Sequence, residues 1–185
     1  VIVNGNQQLI KSYGYANLES RELVTPNTLF ELGSCSKAFT ALAITHLEQQ
    51  GKVALDDKVS DYIPWFRVQY EGDPQEITIR QLLHHTSGIP WSTISKIPES
   101  EADDALEQTV RQLIGQELKK PPGKKHEYAT INYDVLALII EVVAQQSFET
   151  YLQENIIDQL QLHSTTIGKP FDSTLMSTGY KIGFF

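Results

Sequence analysis

Apolar residues recur at helical spacing along much of the chain. Ala38, Phe39, Ala41, Leu42, Ile44 and Leu47 form the first run, and Gly51 supplies a stop. Leu106, Val110, Leu113, Ile114 and Leu118 repeat every three to five residues until Pro121-Pro122-Gly123, which predicts a helix closed by that turn. From Ile131 to Val143 the sequence is apolar nearly all round, the pattern of a helix buried on every side. Ser147 is placed to cap an amphipathic helix carrying Phe148, Tyr151, Leu152, Ile156 and Ile157. Thr78 and Gln81 have capping-box spacing and predict a short helix through Leu82-Leu83-His84-His85 that ends near Gly88.

Strand patterning is confined to the start. Val1–Val3, a turn at Asn4-Gly5-Asn6 and Leu9-Ile10 to Tyr15 read as a hairpin, with Asn-Gly as the turn signal. Thr25-Pro26-Asn27 then breaks the chain before Leu29-Phe30-Glu31-Leu32. Val59 to Pro64 reads as a short helical turn and Glu71-Gly72-Asp73-Pro74 as a surface turn. Ile89 to Ser100 reads as loop, as does everything after Ser164. A hairpin followed by several helices predicts an α+β fold.

Composition narrows the function without naming it. A chain of 185 residues is the length of one domain, expected over 1–185, and 41% hydrophobic with 21% charged residues is globular. The net charge of −8 argues against nucleic-acid and anionic-membrane partners. One cysteine, Cys35, excludes an internal disulfide and a cysteine-built metal site. No metal or cofactor is expected. Val135 to Val143 is too short to span a bilayer and contains Glu141, and no signal peptide is present, so any leader or anchor is expected outside this chain.

The chemistry concentrates at Leu32-Gly33-Ser34-Cys35-Ser36-Lys37. Ser34 falls at the start of the first predicted helix, where free N–H groups favour developing negative charge. Lys37, three residues on, returns its amine to the same helix face, an arrangement that activates a serine without a histidine. By spacing alone the same residues read first as a serine cap and a solvated lysine, a reading that the surrounding sequence overturns. Cys35 points about 100° away from Ser34 and is expected to be a buried, inert thiol. His84 and His85 are adjacent, face differently, and are expected to be structural rather than metal ligands. Trp65, Trp91 and Tyr133 are open between packing and lining a cleft. No Gly-x-Ser-x-Gly elbow and no His-Glu-x-x-His motif is present.

Taken together, several ordered stretches resemble the serine β-lactamase and penicillin-binding-protein superfamily, most of all its class C β-lactamase and serine-peptidase S12 branch. Leu29-Phe30-Glu31-Leu32-Gly33-Ser34-Cys35-Ser36-Lys37 resembles the nucleophile box, and Gly51-Lys52-Val53-Ala54-Leu55-Asp56-Asp57 its usual sequel. Ile77 to Gly88 resembles the structural segment ending in His-Thr-Ser-Gly. Pro122-Gly123 with Glu127-Tyr128-Ala129-Thr130-Ile131-Asn132-Tyr133 resembles the second box, Tyr-x-Asn. The resemblance implies a β-lactamase/transpeptidase-like fold and a serine hydrolase acting through an acyl-enzyme. Ser34 would be the nucleophile, Lys37 its partner, and Tyr128 the proton relay to the leaving group. An amine that accepts a proton near neutral pH must fall well below its reference of about 10.4, and a tyrosine starts from about 10. Which of Lys37 and Tyr128 is the base stays open, because coupled groups share their protons.

Two departures from the family pattern shape the expected function. Thr130 stands where the second box usually has Asn, keeping a hydroxyl but losing the amide's paired donors. It is expected to alter a substrate contact or weaken the anchoring of Lys37 without abolishing catalysis, with Asn132 not taking over. That favours a peptidase or esterase over a dedicated β-lactamase, on D-amino-acid peptides, β-lactams or small esters; a D-amino-acid peptidase processing acylated precursors is one form. The third box, Lys- or His-x-Gly, is matched only by Lys181-Ile182-Gly183, in what resembles an ordinary loop. The chain is therefore expected to be the N-terminal part of a domain whose C-terminal strands are missing here, with an open hairpin edge able to self-associate. An extracytoplasmic location follows from the resemblance. The rival reading is a non-catalytic binding or scaffold module on the same fold.

Overall fold

The computed structural model describes residues 2–3, 6–7, 9–98, 100, 102–168 and 173–180. The chain resolves into two compact units, one of Val1–Cys35 with Leu162–Phe185, the other of Ser36–Gln161.

The unit of Ser36–Gln161 is helical and closes around one buried helix. Helix α1 (Lys37–Gln49) buries Thr40, Ala43, Ile44 and Leu47, an i, i+3, i+4, i+7 stripe. It ends where Gly51 adopts φ +69, with Gly51 N–H donating to Glu48 O and Lys52 N–H to Leu47 O. That pair of bonds is the Schellman ending, with glycine at its left-handed position as the sequence indicates. Helix α2 (Val59–Tyr62) is the short turn expected there. Helix α3 (Ile79–Leu83) opens on the capping box read from the sequence: Gln81 N–H donates to Thr78 Oγ1 at 3.3 Å, and Thr78 N–H donates to Gln81 Oε1 at 3.0 Å. Helix α4 (Ala105–Arg111) precedes helix α5 (Ile131–Ala144), which packs against α1, α2, α3, α4 and α6 (Phe148–Leu152). Ile131, Asn132 and the whole of Val135–Ile140 are buried, matching the all-round apolar pattern. Ser147 caps α6 as expected, accepting from Thr150 N–H at 3.2 Å.

Two features depart from the periodicity. The helix expected through Leu118 stops at Arg111. Gly115 turns the chain at φ +72, and Leu113 and Leu118 stay buried without helical backbone. The other is a three-stranded sheet in the order β6-β5-β7. Strands β5 (Val68–Tyr70) and β6 (Asp73–Gln75) form a hairpin across Glu71 and Gly72, both at positive φ. Two such residues fit a primed two-residue turn, and Pro74 lies on an edge strand. Strand β7 (Gln116–Glu117) joins β5 in parallel.

In the unit of Val1–Cys35 and Leu162–Phe185 the strands are short. β1 (Ile2–Val3) pairs antiparallel with β2 (Asn6–Gln7). The hairpin therefore exists, but its second arm is Asn6–Gln7 rather than Leu9 to Tyr15. Tyr15 belongs to a separate pair, β3 (Tyr15–Asn17) with β4 (Glu22–Leu23). The segment after residue 173, expected to be loop, docks beside them: Leu29 N–H donates to Leu175 O, Ser177 N–H to Leu29 O and Thr178 N–H to Ala16 O. Lys181-Ile182-Gly183 lies outside the described residues.

Candidate active site

The α1 sequence is preceded by a 3₁₀ turn, Gly33–Ser36, none of whose residues is buried. Gly33 takes φ +51 and Cys35 N–H donates to Leu32 O, so the chain tightens into a turn before the α-helix begins. Ser34 sits in this turn, exposed. Cys35 is exposed as well, which corrects the buried thiol expected from helical geometry: the turn gives it no core to face.

Within the helical unit, the first residue of α1 meets the loop ahead of α5. Lys37 Nζ lies 5.4 Å from the centre of the Tyr128 ring and 5.7 Å from that of Tyr133. These are the positions a cation takes over aromatic faces. Lys37 and Tyr128, distant in sequence, are thus brought together as the resemblance implies. Tyr133, open between packing and lining, contacts the same lysine, and its hydroxyl donates to Leu83 O at 3.1 Å. Burial pushes the Tyr133 phenol up, with Tyr128 adding to the shift. Trp65 instead packs beneath Arg111, whose guanidinium is 4.2 Å from the ring, and Trp91 is 58% exposed.

Sequence reasoning missed a third group near Lys37. Asp134 is pushed up to about 6 by burial, with Lys37 acting in the opposite direction. Its Oδ2 is buried with no hydrogen-bond partner among the described residues. A carboxylate placed so is costly when charged, which is why burial outweighs the nearby cation. An Asp one turn into an otherwise apolar helix was the available signal.

The His-Thr-Ser-Gly segment holds the loop that carries Tyr128. Gly123 N–H donates to Thr86 O and Glu127 N–H to His85 O, both at 2.7 Å, while Lys119 N–H donates to Gly88 O at 2.8 Å. Gly88, at φ +83, admits no side chain, since a Cβ there would lie 2.1 Å from Lys120 O. Ser87 and Asn132 are fully buried; Ser87 Oγ donates to Asn132 Oδ1 at 2.8 Å, and Asn132 Nδ2 faces His85 Nδ1 at 3.1 Å. Asn132 is committed to this network. Thr130 is half-buried at the residue before α5, with no side-chain capping bond. His84 is exposed and His85 buried, so the two histidines face apart as expected. Among the described residues no single helix is long and apolar enough to cross a membrane.

The profile of the Beta-lactamase family matches residues 1–179, spanning parts of both compact units. Protein flp of Staphylococcus aureus (strain MW2) is 37% identical over 183 residues, which is 98% of this chain and 37% of that protein. A teichoic acid D-alanine hydrolase of Staphylococcus aureus (strain MRSA252) is 34% identical over 181 residues, 97% of this chain and 43% of that protein. A solved class C β-lactamase in complex with cefoxitin superposes with a TM-score of 0.79 at 28% identity, covering 97% of this chain and 48% of that one. The chain thus spans less than half the length of each of these relatives. The α+β, β-lactamase/transpeptidase-like fold expected from the sequence is the fold observed. With motif order, Lys37–Tyr128 geometry and a family match over nearly all of its residues in agreement, the chain belongs to the Beta-lactamase family.

Proposed function

We propose that this chain supplies the nucleophile, its lysine partner and the proton-relaying tyrosine of a serine hydrolase. Ser34 Oγ attacks a substrate carbonyl carbon, and its proton passes to the coupled Lys37–Tyr128 pair. The carbonyl π electrons move onto oxygen; their return expels the leaving group, which takes a proton from the same pair. An acyl-Ser34 ester remains. Water then attacks that ester, releasing the acid and restoring the Ser34 hydroxyl. The Ser34 N–H is one donor to the oxyanion. The observation that carries this reading is Lys37 Nζ at 5.4 Å from the Tyr128 ring.

The substrate class follows from Thr130. An amide-recognising Asn replaced by a hydroxyl favours an ester or a D-amino-acid peptide over a β-lactam as the working substrate. The name of the teichoic acid D-alanine hydrolase relative supports hydrolysis of D-alanyl groups, and an extracytoplasmic location belongs to the same proposal. Thr130 is also the feature that favours the rival, a non-catalytic binding module. Ester turnover by the whole protein separates them. Ser34→Ala is expected to lower turnover on the order of 10³-fold or more with thermal melting unchanged. A protein that turns over no ester is the binding module instead, and a Ser34→Ala variant that keeps its rate would overturn Ser34 as the nucleophile.

A further inference from the structure

Helix α3 ends as α1 does, with one substitution. Thr86 N–H donates to Gln81 O and His85 N–H to Leu82 O, again the Schellman pair of bonds. In α1 the left-handed position of that motif is Gly51; in α3 it is His85, at φ +53. A residue with a Cβ is disfavoured in that conformation, so the side chain has to contribute something glycine lacks.

Its contacts show what that is. Ala129 N–H donates to His85 Nδ1 at 3.4 Å, and a backbone N–H can only donate, so Nδ1 is an acceptor and carries no proton. Asn132 agrees. Its Oδ1 takes the Ser87 proton, which turns its Nδ2–H₂ toward the same Nδ1 at 3.1 Å. The imidazole is therefore neutral, with its proton on Nε2. The His85 ring lies 4.5 Å from the Tyr128 ring at 40°, and 5.3 Å from that of Tyr133 at 37°. Ala129 directly follows Tyr128, so one side chain holds both the tyrosine ring and the backbone behind it.

We propose that His85 is the positioning residue of the Lys37–Tyr128 pair, a neutral Nε2–H imidazole that fixes the Tyr128 ring and the Ala129 N–H against the start of α1. Protonating it would set a new Nδ1–H against two donors and break both contacts. The groups that face it are Lys37 from α1, His126 and Tyr128 from the preceding loop, and Tyr133 from α5. Burial, with the neighbouring His126 and Lys37 adding to it, holds the imidazole below the usual histidine range. Asp134, pushed up to about 6 by burial against the pull of Lys37, is a further titrating group near the pair.

This inference rests on Ser34 being the nucleophile, and the experiment separates the two. In the whole protein, the rate at which a fluorophosphonate probe labels Ser34 is measured for wild type, His85→Phe and His85→Asn. The His85 ¹⁵N resonances are recorded in wild type between pH 5 and 8. Phenylalanine keeps a ring but no acceptor; asparagine tolerates the left-handed backbone and offers Oδ1 to the Ala129 N–H. Expected are an Nε2–H tautomer, a loss on the order of 10²-fold in labelling for His85→Phe, and recovery to within about tenfold for His85→Asn. Wild type that leaves Ser34 unlabelled overturns the nucleophile assignment and the positioning role with it. Wild type that labels while folded His85→Phe labels as fast overturns the positioning role alone. A proton found on Nδ1 overturns it too, even if neither variant folds.

Discussion

The two compact units bury their apolar residues to opposite degrees. In Ser36–Gln161, Ile44, Leu47, Leu82, Leu113, Leu136, Ile139 and Ile140 are fully buried, and α5 is enclosed by its neighbours. In the other unit, Ala16 is the one buried hydrophobic residue among those described, while Tyr13 is 76% exposed, Leu23 62%, Phe30 57% and Ile10 51%. Helices that contact one another complete a core within their own unit. A two-stranded hairpin has two faces and two edges, and it becomes stable only when something else covers them. The contrast separates a unit that completes its own core from one that, among the described residues, buries little. Lys37, Tyr128, Tyr133, Asp134 and His85 all belong to the closed unit, and Ser34 to the open one.

The largest effects that test this contrast lie in the closed unit. Leu136→Ala or Ile139→Ala is expected to destabilise residues Val1–Phe185 by about 2–5 kcal/mol in urea unfolding. A cost under about 1 kcal/mol would mean that α5 is not the centre of the core. A comparable effect is expected on activity. Val1–Phe185 alone is expected to associate in solution through its hairpin edge and to turn over ester at least about 10²-fold more slowly than the whole protein, the size of effect that loss of one oxyanion donor has. Mass in solution and ester turnover measured side by side test both. A monomer with undiminished turnover would promote Lys181-Ile182-Gly183 to the third catalytic box.

Asp134 gives a smaller and pH-dependent effect. Its folded pKa of about 6 stands above the ordinary value of 3.8 for an aspartate, so the folded state binds the extra proton between these values. The stability this contributes is fully present below about pH 4 and is lost as pH rises through 6. Asp134→Asn should therefore raise stability at pH 8 by on the order of 2 kcal/mol and flatten the pH dependence between 4 and 7. Thermal melts across that range check it, and a destabilised variant at pH 8 would show that the attraction to Lys37 outweighs burial. The smallest effect belongs to the open unit: Tyr13→Ala in Val1–Phe185 is expected to change stability by less than about 0.5 kcal/mol. A larger loss would place Tyr13 in a packed core.

Legibility in the sequence followed the range of the signal, not the division between the units. Gly51, the Thr78–Gln81 capping box, the Ser147 cap and the all-round apolar run of α5 are local signals, and each fell where the pattern put it. The β5–β6–β7 sheet was not legible beyond its Glu71-Gly72 turn. Three-residue strands carry too little alternation, and β7 pairs in parallel from far downstream. Leu113 and Leu118 kept a helical rhythm past the real end of α4 because buried positions need not be helical ones. Ser34, Lys37 and Tyr128 were legible as ordered motifs. His85 was visible only as a motif histidine; that it occupies a glycine position required the backbone of α3.

The most direct test of the account is to locate the covalent bond. The whole protein is incubated with a fluorophosphonate or a β-lactam, digested, and its peptides are mapped by mass. The account predicts the added mass on the peptide containing Ser34, at the Ser34 side chain, with none in Ser34→Ala. Label at Cys35, the exposed thiol beside it, or at Ser36 would contradict the mechanism.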